Sequence, residues 1–144
     1  MPTLQWSRPA RALVEQCPPT MAGLWSATFT TQHVALTLAV SSSVLPTVDF
    51  SEIAMDLGDA VEALEMAHPW LIDGPTVKLG LTSPIIDFAG PTRELAVLLV
   101  ACIDLAAATL GNRDQALTPA EVLAVARCVG LLSDAHVRAT GRLP

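Results

Sequence analysis

The sequence predicts an all-α protein, a single helical bundle of about four or five helices over residues 1–144. Three observations carry this reading. Asp49–His68 repeats its apolar residues every three or four positions, Pro91–Leu110 is apolar nearly all round, and Thr118-Pro119-Ala120-Glu121 signals the start of another apolar-periodic run. A chain of 144 residues is one domain of ordinary size. At that length roughly 68–70% of the unfolded surface is buried on folding, so a core forms without metals or disulfides.

The first helix is expected from Pro9 to Gln16, with Ser7 as its cap and Pro18-Pro19 as its stop. Thr20–Val44 supports two readings. As strands, Trp25, Ala27 and Phe29 alternate with Ser26, Thr28 and Thr30, and the Thr and Val content suits a sheet. A hairpin at Trp25–Val40 with a short strand at Val77–Leu81 gives the alternative, an α+β fold. As a helix, Ser26, Thr30, His33, Thr37 and Ser41 recur every three or four residues, and Trp25, Phe29, Leu36 and Val40 keep the same rhythm. A hairpin would turn near Thr31-Gln32-His33, where no Gly, Asn, Asp or Pro stands, so one long helix ending before Pro46 is preferred.

Asp49–His68 is the clearest amphipathic helix. Asp49 and Glu52 fit a capping box; Ile53, Leu57, Ala60, Val61, Leu64 and His68 share one face, and Glu52, Asp56, Asp59 and Glu62 cover the other. Residues from Asp73 to Pro91 form a connection rich in Gly and Pro. Pro91–Leu110 reads as a helix buried centrally or in an interface, stopped by Gly111-Asn112. The last helix follows its capping box to about Ala139, with Val122, Val125, Val129, Leu132 and His136 toward the core and an Asp134–Arg138 pair outside.

Composition excludes some functions. Hydrophobic residues make up 51% and charged residues 15%, so disorder is excluded. A net charge of -6 and only eight Lys and Arg argue against nucleic acid as a partner. Pro18–Val48 has no charged residue but is filled with Ser and Thr, and Leu95–Leu110 is short and holds Asp104. Neither makes a good span of about 20 apolar residues, and a membrane partner is not expected. The first residues lack a basic-then-apolar leader pattern. Three cysteines without C-x-x-C spacing suit a reducing cytoplasm rather than a disulfide framework. A single lysine, Lys78, among plentiful Ala and Arg is the usage of a GC-rich bacterial genome.

The chemically suggestive residues are few. His68 and His136 both end helices on apolar faces, where a protonated imidazole is favoured by the helix dipole. If their helices ran parallel, and the helix between them antiparallel, Arg93 and Glu94 would join them and Asp104 could contribute, forming a polar pocket over an apolar floor. These five residues are the ligand-binding candidates. Glu65 and His68 form E-x-x-H, but a di-iron bundle needs that motif twice, and His33 completes no ligand spacing, so neither metal nor cofactor is expected. Cys102 and Cys128 read as buried inert thiols. Ala126, Gly130 and Val137 echo a helix-turn-helix, with one residue too many after Gly130 and too few basic residues; a continuous helix explains them equally. No P-loop, G-x-S-x-G, G-x-G-x-x-G or H-E-x-x-H occurs.

Val97, Val100, Ala101, Asp104 and Ala108 share one side of the Pro91–Leu110 helix, away from Leu95, Leu99, Ile103 and Leu110. A small domain has trouble hiding two apolar faces and an uncharged Pro18–Val48 stretch as well. The expected function is therefore self-association, or binding of a protein partner, through these five residues, without catalysis.

Overall fold

A computed structural model describes residues 7–41, 48–73 and 87–141. Within them are five helices and no strand: α1 (Ser7–Gln16), α2 (Met21–Val40), α3 (Phe50–Ala67), α4 (Ala89–Leu110) and α5 (Pro119–Thr140), with a 3-10 turn at Pro69–Asp73 after α3. The all-α reading holds, and the hairpin at Trp25–Val40 is replaced by α2. The alternative strand Val77–Leu81 lies outside the described residues.

The i,i+4 rhythm wins in α2 because it stacks rings. Trp25, Phe29 and His33 lie one above another, with ring centroids 4.8 and 4.2 Å apart. Thr20 caps the helix, its hydroxyl accepting from the Gly23 N–H at 3.1 Å. The other ends follow their local signals in part: the return bond of a capping box at Asp49–Glu52 is absent among the described residues, and α4 starts at Ala89, before Pro91, without a side-chain cap. Asp49 accepts from the Glu52 N–H at 3.1 Å, and Thr118 with Glu121 completes a reciprocal capping box. Gly141 ends α5 at φ 72°, a left-handed conformation that suits glycine. Ser7 departs from expectation: it lies inside α1, and its hydroxyl donates to Glu94 of α4 at 3.1 Å.

A few long-range bonds set the helix directions. Trp25 Nε1 donates to Glu65 Oε1 at 3.0 Å, placing the start of α2 beside the end of α3. Arg138 Nε donates to Asp56 Oδ2 at 2.8 Å, placing the end of α5 beside the first half of α3. Asn112 Nδ2 donates to the Pro19 carbonyl at 2.8 Å, and the Met21 N–H to Gln115 Oε1 at 3.1 Å, placing the end of α4 beside the start of α2. α2, α3, α5 and α4 therefore form the corners of a four-helix bundle, each antiparallel to both neighbours, with α1 laid across α2 and α4. α3 and α4 stand on opposite corners and run the same way, and Phe50 and Phe88 meet at their starts with centroids 5.5 Å apart.

The core is one cluster running through all five helices. Leu24, Leu38, Ile53, Leu57, Leu64, Leu95, Leu99 and Leu132 are fully buried within it. Three expectations about faces need correction. Arg138 reaches across to Asp56 rather than along its own helix to Asp134, because α3 lies against that side of α5. Val122 is 42% exposed, since α5 turns Ala124 and Val125 inward at that level. α4 is not buried all round: Leu95, Leu98, Leu99, Cys102 and Ala106 face inward, while Leu110 is 43% exposed.

Candidate functional site

The antiparallel arrangement decides the fate of the two helix-end histidines. α3 ends where α2 begins, and α5 ends where α4 begins, so His68 and His136 sit at opposite ends of the bundle. Asp56, the partner of Arg138, lies twelve residues before His68, about 18 Å along α3. The shared pocket that parallel helices would have made does not form.

His136 is buried at its end, with Nδ1 3.4 Å from the Thr140 hydroxyl, which donates to the His136 carbonyl at 2.8 Å. Glu94 is at the same end of the bundle but is directed to α1. It accepts from Ser7, and its carboxylate lies 3.9 Å from Arg11 Nη1. Arg93 and Asp104 are exposed on α4. At the other end His68 caps α3 through its backbone N–H, bonded to the Leu64 and Glu65 carbonyls. Its ring meets Trp70 edge-on at 5.7 Å, and its buried Nδ1 has no hydrogen-bond partner among the described residues. Glu65 is bonded to Trp25, so the two members of E-x-x-H serve different contacts. Among the described residues no group of three or more His, Cys, Asp and Glu is placed to hold a metal ion. No helix among them is long and apolar enough to cross a membrane. α5 runs unbroken through Gly130, so the turn of a helix-turn-helix is absent there.

The bundle interior holds a polar seam that residue patterns did not single out. Thr31 donates to the Ala27 carbonyl at 2.8 Å, and its oxygen lies 3.3 Å from Cys102 Sγ. Burial pushes the Cys102 and Cys128 thiols up to about 12, with Thr31 and Thr28 opposing it in part. The hydroxyls of Ser26 and Thr30 are buried and have no hydrogen-bond partner among the described residues. The available signal was the uncharged, Ser- and Thr-rich run Pro18–Val48, now seen as largely interior helix. High thiol pKa values and full burial make Cys102 and Cys128 poor nucleophiles.

Apolar side chains are exposed at several places, among them Val40, Met66, Trp70 and Leu123, and the outward side of α4 is distinguished from these by its regular order. Arg93, Val97, Val100, Asp104 and Ala107 are exposed and follow one another at spacings of four, three, four and three, a single straight row along the helix. Val97 is 36% and Val100 37% exposed, unusual for valines at the middle of a bundle helix. Ala108 is exposed beside the row and Ala101 is half-buried at its edge, so the five interface residues expected from sequence lie on or beside one surface. Arg93 and Asp104 are about 16 Å apart along the axis and form no ion pair among the described residues. The chain matches no known protein family, no curated protein and no solved structure.

Proposed function

We propose that this protein acts by self-association, a second copy covering the outward side of α4, and that it performs no catalysis of its own. The observation that supports this reading is the exposed row on α4, in which Val97 and Val100 stand between an arginine and an aspartate that form no ion pair among the described residues, with alanines around them. Small residues let two helix backbones approach closely, and central valines supply the apolar contact. Its three free thiols suit a reducing compartment, and we place it in the cytoplasm on that ground.

A seam of one helix per copy is small beside the roughly 1,600 Å² of a standard interface. The association is therefore weak enough for the mass to vary with concentration. Ala101→Glu with Ala108→Glu puts two carboxylates into the covered surface. This double variant, and Ala108→Glu alone at the exposed position, are expected to sediment as monomers with unchanged helical circular dichroism. A folded double variant with the same mass as the parent chain would remove α4 from the interface.

A further inference from the structure

The row on α4 has a symmetry that names how the second copy is placed. Taken from the midpoint between Leu98 and Leu99, Val97 lies as far before as Val100 lies after. Arg93 and Asp104 are likewise equidistant from that point, and so are Gly90 and Ala107. Resting on the self-association reading above, we propose that two copies pair α4 against α4 antiparallel across a two-fold axis at this midpoint. Val97 then meets the partner's Val100, and Arg93 meets the partner's Asp104, each contact occurring twice as an isologous interface requires.

Charge selects this arrangement. In a parallel pairing Arg93 faces the partner's Arg93 and Asp104 faces the partner's Asp104, two like-charge contacts. The antiparallel pairing converts both into opposite-charge contacts and keeps the valines at the centre. Such flanking charges fix register and exclude wrong alignments more than they add affinity. The ends of the row are small on both sides. A Cβ at Gly90 would meet nothing within 4 Å among the described residues, and Ala107 adds only a methyl group. The 3-4-3-4 spacing is that of a seam between helices crossing at a shallow angle of about 20°. α5 also has an exposed row, Leu123, Arg127, Gly130, Asp134 and Val137, but it lacks the symmetry. Aligning Arg127 with the partner's Asp134 sets Leu123 against the partner's Arg138, an apolar side chain against a charge.

The test is a charge exchange on the full chain, read by sedimentation equilibrium. Arg93→Asp alone and Asp104→Arg alone each place like charges together and are expected to weaken association about tenfold or more. Mixing the two single variants aligns opposite charges again, so a heterodimer forms at the concentrations where the parent chain dimerises. Arg93→Asp with Asp104→Arg in one chain restores the homodimer. Both side chains are exposed, so these variants keep the fold. An independent readout uses mild oxidation of Arg93→Cys mixed with Asp104→Cys. The two variants cross-link to each other, and Arg93→Cys alone does not cross-link to itself. A parent chain that dimerises while the mixture stays as weak as its components, or while Arg93→Cys links to itself, overturns this register and leaves the association reading standing. A parent chain that is monomeric at every concentration overturns both.

Discussion

Raising the pH from about 9 to 11 is expected to remove several kcal/mol of folding stability, a large share of the roughly 5–15 kcal/mol typical of a domain. Cys102 and Cys128 titrate near 12 in the folded chain, against an ordinary value of 9.0. Below the ordinary value both states hold the thiol protons and stability is at its full level. Above it the unfolded chain releases them while the folded chain cannot, so stability falls as pH rises toward 12. Each thiol contributes a slope of roughly 1.4 kcal/mol per pH unit in that window. Few other groups titrate there, since the sequence has no tyrosine and only Lys78 among lysines; half-buried Cys17, whose thiol burial also raises, adds to the fall in the same direction. The measurement is the urea midpoint followed by circular dichroism at pH 8, 9, 10 and 11. The parent chain loses stability steeply, and Cys102→Ala with Cys128→Ala flattens the slope whatever its effect at pH 8. A midpoint that holds steady from pH 9 to 11 in the parent chain contradicts the burial of the two thiols.

The second large effect is expected from a single methyl group. Gly23→Ala drives a Cβ into the Pro18 carbonyl oxygen and to 3.0 Å from both the carbonyl carbon and Cδ of that proline. These atoms cannot swing aside as the end of a flexible side chain would. The Pro18 carbonyl also accepts the Thr20 N–H at 2.8 Å, and Thr20 in turn caps Gly23, so relief of the clash breaks the turn that starts α2. Destabilisation of about 3 kcal/mol or more follows, at the upper end for overpacking. Gly130→Ala is the control. It meets nothing within 4 Å on the exposed side of α5 and should stabilise the helix by up to about 1 kcal/mol. Opposite signs for one chemical change separate the packing effect from helix propensity, and two changes of equal sign in thermal melts would contradict it.

Local signals were well written in the sequence. The Thr118–Glu121 box, the Asp49 cap and the rings of Trp25, Phe29 and His33 each rest on residues within four positions, so spacing alone announces them. What spacing could not supply was the direction of one helix against another. The placement of His68 and His136 depended on whether α3 and α5 run parallel, and the bonds that settle it join residues 40 and 82 positions apart. Arg138 had Asp134 at helical spacing and Asp56 across the bundle; only the packing of α3 on α5 favours the latter. The inward turn of Thr28 and Thr31 was hidden for another reason. Uncharged hydroxyl residues satisfy either a strand or a helix, and either a wet or a dry face, until the neighbouring helices are placed. The α4 surface was legible in part: Leu95, Leu99 and Cys102 do turn inward, but Ala106 joins them and Leu110 is exposed, because the neighbouring helices and not side-chain size alone decide which residues are covered.

The association of two copies through α4 is tested most directly by absolute mass in solution. Sedimentation equilibrium of the unaltered chain, from low micromolar to several hundred micromolar, should give a mass that climbs from 15.1 kDa toward twice that value. The Ala108→Glu variant should stay at the lower value throughout. An unaltered chain that remains at 15.1 kDa over the whole range would contradict the account.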